Sequence, residues 1–159
     1  MKKLTAVLAA TLGAAAVLAP VADASVTEHL YQVGGPTRFY DKAGKRININ
    51  PPATLPSAGD YFVERDKDLR GTLAHHTSTG SGTDTLRCTF SNPDTAKCSL
   101  TIKVGGSTLS FDGFAIHFNR HTPVHARLTR ATGKHAGARG SLTITGGANQ
   151  NDELTVKLS

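Results

Sequence analysis

Alternation with a period of two runs through most of this chain, and no stretch sustains the 3.6-residue period of an amphipathic helix. Leu86, Cys88 and Phe90 alternate with Thr85, Arg87 and Thr89. Cys98, Leu100, Ile102 and Val104 alternate with Ser99, Thr101 and Lys103. Successive side chains of a strand point to opposite faces, so each run predicts a strand buried on one side. The intervening Ser91-Asn92-Pro93-Asp94 is turn chemistry. A hairpin follows, with Cys88 and Cys98 on one face near its loop. GDYFVERD and GTLAHHTST precede the hairpin as further strands, and STLSFDGFAIHF, VHARLTR, GSLTITG and ELTVKLS come after it. In Ser107–Phe118 the apolar phase slips at Asp112-Gly113, from Leu109 and Phe111 to Phe114, Ile116 and Phe118, which predicts a bulge or sharp bend. Eight short strands predict an all-β sandwich or closed barrel, and the pattern alone leaves that choice open.

The first 24 residues read differently. Two lysines precede an Ala/Leu/Val-rich run that ends in Ala22-Asp23-Ala24, the pattern of an export signal with an A-x-A cleavage site. The run is short and alanine-rich, and no second apolar segment follows it, so no membrane span is expected. The expected domains are a signal peptide over 1–24, an N-terminal extension over 25–56 and a β-domain over 57–159. Within the extension TRFYD and ININ read as short strands, and NPPATLPSAGD reads as an extended linker. An exported, oxidised location favours a disulfide between Cys88 and Cys98, the only cysteines.

The formal net charge is +6, and removal of Lys2, Lys3 and Asp23 lowers it by one. A mildly basic exported protein suits anionic wall polymers, although solubility alone accounts for such a charge. The positive charges are scattered, aromatic residues are 6% of the chain, and no nucleic-acid motif occurs, which points away from a nucleic-acid partner.

The glycine-rich, basic stretch TRATGKHAGARGSLTIT, Thr129 to Thr145, invites comparison with phosphate loops. A Walker A loop needs a glycine five residues before its Gly-Lys pair and Ser or Thr after it; here those places hold Leu128 and His135. The G-x-G-x-x-G spacing fails as well, and no helix follows. Gly133, Gly137 and Gly140 fit better as turn glycines where a strand rounds a corner. His117, His121 and His125 are spaced four apart, but Pro123 and the surrounding alternation exclude the helix on which that spacing would gather a metal; no metal and no cofactor is expected. His75-His76 places one ring on each face of a strand, with exposure as the default. Asp60, Glu64 and Asp66 share parity with Phe62. If that face points inward, the carboxyls are desolvated and suited to acid/base work. Pattern alone favours the opposite, with Tyr61, Val63 and Leu69 inward and the acids outward.

The order AGDYFVERDKDL, TLRCTF, GGSTLSFDG, LTRATGKHAGARGSLTI and ELTVKL resembles the allene oxide cyclase barrel family, whose relatives include plant dirigent proteins and small secreted bacterial proteins. The resemblance spans about Ser57 to Ser159, with Thr132–Gly140 its strongest piece. It implies an eight-stranded antiparallel closed barrel with an irregular N-terminal extension and an apolar cavity. In plant members that cavity binds a reactive lipid or phenolic intermediate and steers its cyclisation or coupling. Residue by residue, Cys88 falls where the cyclases have a cavity-lining cysteine and Asp60 falls on the family's Gly-Asp. Val63 replaces a proline, and Glu28 is the only candidate for the first-strand acid. Arg130-Ala131 replaces a double glycine, and Arg139 matches the arginine of the dirigent Ala-Arg-Gly ending, aimed toward the barrel mouth. Candidate ligand-binding residues are therefore Asp60, Glu64 and Arg139, with Lys134 and His135 on an exposed turn. The implied function is binding of a small apolar or aromatic molecule outside the cell, with cofactor-free cyclisation or coupling. The alternative is a carrier or envelope-interaction protein without chemistry. Association with the cell wall is a further expectation, from the proline-bearing N-terminal segment and the basic charge, and the resemblance adds homo-oligomerisation, since plant relatives often assemble as trimers.

Overall fold

The computed structural model describes residues 25–49, 54–120, 122–146 and 151–159. The expected leader, part of the proline linker and His121 lie outside them. Among the described residues ten strands follow in chain order: β1 Val26–Val33, β2 Arg38–Tyr40, β3 Arg46–Ile47, β4 Tyr61–Gly71 and β5 His76–Asn92. The rest are β6 Thr95–Val104, β7 Ser107–His117, β8 Val124–Ala131, β9 Gly140–Gly146 and β10 Asp152–Leu158. They form one antiparallel sheet in the order β1-β10-β9-β8-β7-β6-β5-β4-β2-β3, and an added β1–β4 pairing closes eight of them into a barrel. No helix among the described residues is long and apolar enough to cross a membrane.

The eighth wall strand is not the one expected. GTLAHHTST contributes only its second half, as the start of the long β5. The closing strand is β1, from the segment expected to be an extension; it pairs with β10 from Val26↔Leu158 to Gln32↔Asp152, and with β4 from Leu30↔Arg70 to Val33↔Lys67. Its polar sequence, VTEHLYQV, hides it from a search for apolar alternation. TRFYD supplies β2, whereas ININ gives only Ile47 to the two-residue β3, Arg46–Ile47, and its last residue lies outside the described ones; β2 and β3 form a small flap on the barrel.

The β5–β6 hairpin forms as read, with Leu86↔Leu100 and Cys88↔Cys98 facing each other. The cysteines are bonded and fully buried inside the barrel. At the expected phase slip the β6–β7 register shifts between Cys98 and Ser99, opposite Gly113, whose φ is 77°. Leu30, Leu100, Ile102, Leu109, Phe111 and Leu142 are each at most 1% exposed and fill the middle of the barrel. An eight-stranded barrel is just wide enough for its side chains to fill. The apolar cavity accordingly lies at one end rather than along the axis.

The corner between β8 and β9 carries the glycines of the basic stretch. Gly133 opens a single 3-10 turn, Gly133–His135, at φ 67°, and a Cβ there would overlap the carbonyl oxygen of Gly106. Gly137 has φ 83° but open space around it, and Gly140 starts β9. His135 is not exposed as expected: its Nε2 and the Lys134 Nζ both lie 3.4 Å from Glu28 Oε1, tying the corner to β1.

Two stability predictions follow from these contacts. Gly133→Ala should cost clearly more than Gly137→Ala, for which only the positive φ opposes the substitution, at about 1 kcal/mol; paired urea melts measure the difference. Replacing both cysteines by alanine should cost about 2–3 kcal/mol, because the bond closes a short loop, and should lower the urea midpoint without altering the far-UV spectrum.

Candidate functional site

Strand β4 changes partner along its length. Tyr61–Val63 pairs with β2 and Lys67–Arg70 with β1. Between these ladders the chain leaves β1 and crosses to β2 close against β4: a Cβ on Gly35 would overlap the Arg65 carbonyl, so glycine is required there. The Gly35 N–H thereby reaches Asp66 Oδ1.

The inner face of β4 is the one carrying Phe62, Glu64, Asp66 and Asp68, which reverses the orientation favoured by pattern alone. Phe62, Asp66 and Asp68 are buried, whereas Tyr61 and Val63 are half-exposed on the outer face. Both faces of this strand carry apolar side chains, so the direction is decided by partners. Phe62 sits opposite the buried Cys88 and Glu64 opposite Leu86.

At the end of the barrel where β4 begins, four phenylalanines from separate segments converge. Phe62 lies 5.7 Å from Phe39, 5.8 Å from Phe90 and 6.1 Å from Phe118, ring centre to ring centre, and Phe90 lies 5.5 Å from Phe118. These tilted pairs are favourable aromatic geometry. With Leu55 and Pro56 they line an apolar groove of about 470 Å³ whose polar wall is Thr37, Glu64 and Asp152. Phe118 is 45% exposed at the lip. Thr37 Oγ1 donates to Glu64 Oε1 at 3.1 Å. Burial, followed by the nearby Asp66 charge, pushes the Glu64 carboxyl above the usual carboxylate range, partly offset by the Thr37 hydrogen bond. A half-buried carboxyl so placed can accept or deliver a proton, or orient a ligand's donor, at the wall of an apolar groove.

Deeper inside, the Gln32 side-chain N–H groups donate to Asp66 Oδ2 at 2.7 Å and to Asp84 Oδ2 at 2.8 Å. Burial is also the main cause of a raised pKa at Asp66, with the Gly35 and Gln32 hydrogen bonds opposing it. Asp68 and Asp84 face each other in the interior, and no donor reaches Asp68 Oδ1, Asp68 Oδ2 or Asp84 Oδ1. Two dry carboxylates in contact cannot both stay charged. One proton shared between them provides the missing donor. Both groups are held above the ordinary range, first by burial, with Asp84 raised further by the Asp68 charge. Parity placed Asp66 in this row; Asp68, Asp84 and Gln32 were missed, because their meeting depends on β1 and β5 closing over β4.

The other singled-out residues lie apart. Asp60 precedes β4 as a turn clasp: its carboxylate accepts the Lys42 N–H at 3.2 Å and the Ser57 N–H at 2.8 Å. Arg139 has an exposed side chain, and its backbone N–H and carbonyl pair with Ser159, both at 2.9 Å. It sits past Gly140↔Leu158, at the opposite end of β10 from Asp152 and thus about 20 Å from the groove. The structure therefore brings Glu64 to the groove, Asp60 to its supporting loop and Arg139 to the other mouth. His117 Nδ1 lies 3.2 Å from Thr95 Oγ1, and His125 Nδ1 lies 3.1 Å from Thr143 Oγ1, each on the exposed surface. His75 and His76 are exposed, and the His76 ring stacks on Tyr31 at 4.1 Å. No group of three potential metal ligands occurs among the described residues.

No family model matches the chain, and no curated protein does. Solved structures do match. A pyocyanin demethylase superposes with a TM-score of 0.59 at 23% identity, covering 84% of this chain and 100% of its own. Two pterocarpan synthase dirigent proteins superpose with TM-scores of 0.62 and 0.57, at 16% and 14% identity. They cover 86% and 96% of this chain and 94% and 96% of their own. At these identities the likeness is one of fold. It agrees with the barrel that the dirigent resemblance implies, and none of the three is an allene oxide cyclase by name.

The buried acid pair has a measurable consequence. Its pKa values are raised on folding, so the folded state binds the proton more tightly than the unfolded chain. The associated stability is complete below the ordinary carboxylate range and is lost as pH rises through the raised values. Thermal melts should therefore decline from about pH 5 into the alkaline range. Asp84→Asn places a permanent N–H donor beside Asp68; it should flatten that slope and melt several degrees above wild type at alkaline pH.

Proposed function

We propose that the protein is an exported barrel that holds a small, flat aromatic molecule in the groove at the mouth, with Glu64 as its polar anchor. The observation that carries this reading is the convergence of Phe39, Phe62, Phe90 and Phe118 on a groove whose wall includes Glu64 and Asp152. Rings on several sides fix a planar ligand by stacking and by exclusion of water, and a single polar wall sets its orientation. The acidic wall favours a ligand that bears a hydrogen-bond donor or a positive charge. The core disulfide supports an oxidising location outside the cytoplasm, as does the leader-like sequence of residues 1–24.

Chemistry on the bound molecule is the second part of the proposal. Glu64 is desolvated and its pKa is raised, which favours proton transfer at the ligand during a cyclisation or coupling that needs no cofactor. The names of the structural neighbours, a demethylase and a synthase, support a catalytic as well as a carrying role. Asp60 would contribute by holding the loop behind the groove rather than by touching the ligand. Arg139 would serve at the other mouth.

Mass spectrometry of solvent extracts from protein purified out of its native host tests the reading directly, with a co-purifying aromatic compound as the expected result. In parallel, the neutral dye N-phenyl-1-naphthylamine should brighten on binding, and Phe118→Ala should weaken that binding by about tenfold through loss of one ring contact. Glu64→Gln separates the two roles with the extracted compound. A carrier loses affinity, whereas a catalyst keeps most of its affinity and loses turnover. Absence of both an extracted compound and dye binding would refute the groove as a ligand site.

A further inference from the structure

The pleat that turns the acids of β4 and β5 inward turns the bases of the same wall outward. Arg38 on β2, Arg65 and Lys67 on β4, Arg87 on β5, and Lys97 and Lys103 on β6 are all exposed. The register sets them in rows: Arg38 opposes Val63, which opposes Arg87, and Lys67 opposes Thr83, which opposes Lys103. Every acid on these strands, namely Glu64, Asp66, Asp68 and Asp84, points the other way. These six bases, scattered in the sequence, are thus gathered by the fold onto one outer wall.

Three of the arginines, Arg38, Arg65 and Arg87, line a single outer groove of about 270 Å³ beside Tyr40 and Tyr61. The two rings stack at 4.9 Å with 13° between their planes. The Arg87 guanidinium carbon lies 3.8 Å from the Tyr61 ring centre. Contact through its flat face holds the guanidinium while leaving its in-plane N–H donors free for an anion. The ion pairs among the described residues include none of these arginines.

We propose that this outer groove is an anion site that binds the phosphate group of a base-free polyol-phosphate polymer lying along the basic wall. Phosphate is favoured over carboxylate because a carboxylate offers two coplanar oxygens, which one guanidinium fork satisfies. Forks entering one groove from β2, β4 and β5 suit oxygens set tetrahedrally. A polymer is favoured over a lone ion because the bases continue past the groove: Lys67 stands about 7 Å beyond Arg65 on β4, and Lys97 and Lys103 stand on the same face of β6, with no acid on the outer faces of these strands. Nucleic acid is disfavoured because Tyr40 and Tyr61 are engaged with each other and with Arg87 rather than presented as a platform for bases. The site is separate from the phenylalanine groove: the thickness of β4 lies between Arg65 outside and Glu64 inside.

The test measures binding of the whole exported protein to immobilised synthetic poly(glycerol phosphate), with polygalacturonate and poly(dT) as comparison polymers, at low and physiological salt. The expected result is binding to poly(glycerol phosphate) that weakens with salt. Arg38→Gln combined with Arg65→Gln should weaken it about tenfold or more, given that charge-assisted contacts are lost. Arg127→Gln combined with Arg130→Gln removes the same charge from exposed positions of β8 and should change it by less than about twofold. Arg87→Lys, which keeps the charge and loses the fork, should fall between. All variants should match wild type in thermal melts and in naphthylamine binding at the mouth, so failure of this site is distinguishable from failure of the ligand groove. No binding to poly(glycerol phosphate), or equal losses in the two double variants, would overturn the site. Equal or tighter binding of polygalacturonate or poly(dT) would overturn the choice of phosphate polymer.

Discussion

Closure of the sheet by β1 is the constraint on which the rest depends. Without it, β4 and β10 would each present an unpaired edge, the usual invitation to association with other strands. With it, the middle of the inner face is closed to water, and the acids there, Asp66, Asp68 and Asp84, are governed by desolvation. The same hydrogen-bonded seam therefore makes the apolar core favourable and the inner acids costly. It also brings Gln32, the residue that donates to both Asp66 and Asp84, into the barrel. Stability and the charge state of the interior are consequently linked at one seam.

The wall around β4 shows how a single pleat can divide two kinds of chemistry. Tyr61 through Asp68 alternates outward and inward, with Arg65 and Lys67 facing water and Glu64, Asp66 and Asp68 facing the interior. A strand that carried these charges on one face would neutralise them in pairs. Split by the pleat, they create a positive exterior and a proton-retaining interior within the thickness of one strand.

Much of the barrel is legible in the sequence because strand alternation is local. The β5–β6 hairpin, the bulge at Gly113 and the cysteine pairing all rest on residues close together in the chain. The contribution of β1 is not legible, since its inward positions include Gln32 and its outward ones include Tyr31, which blurs the apolar parity. The candidate site is legible only in part. Parity groups Glu64 and Asp66 with Phe62, but their direction depends on Cys88 and Leu86 across the ladder. The aromatic groove is assembled from Phe39, Phe62, Phe90 and Phe118, whose proximity arises from closure and not from any local pattern. Arg139, conversely, is singled out by motif order and lies at the far mouth, because motif order does not encode which end of a barrel a corner occupies.

The position of the sulfur bridge has a kinetic corollary. Cys88 and Cys98 face the sealed core, with exposures of 0% and 1%. A thiolate reductant can attack only when the wall parts around them, since exchange requires direct approach to a sulfur atom. The rate of reduction at low denaturant thus reads out how often the barrel breathes open, a built-in clock that needs no label.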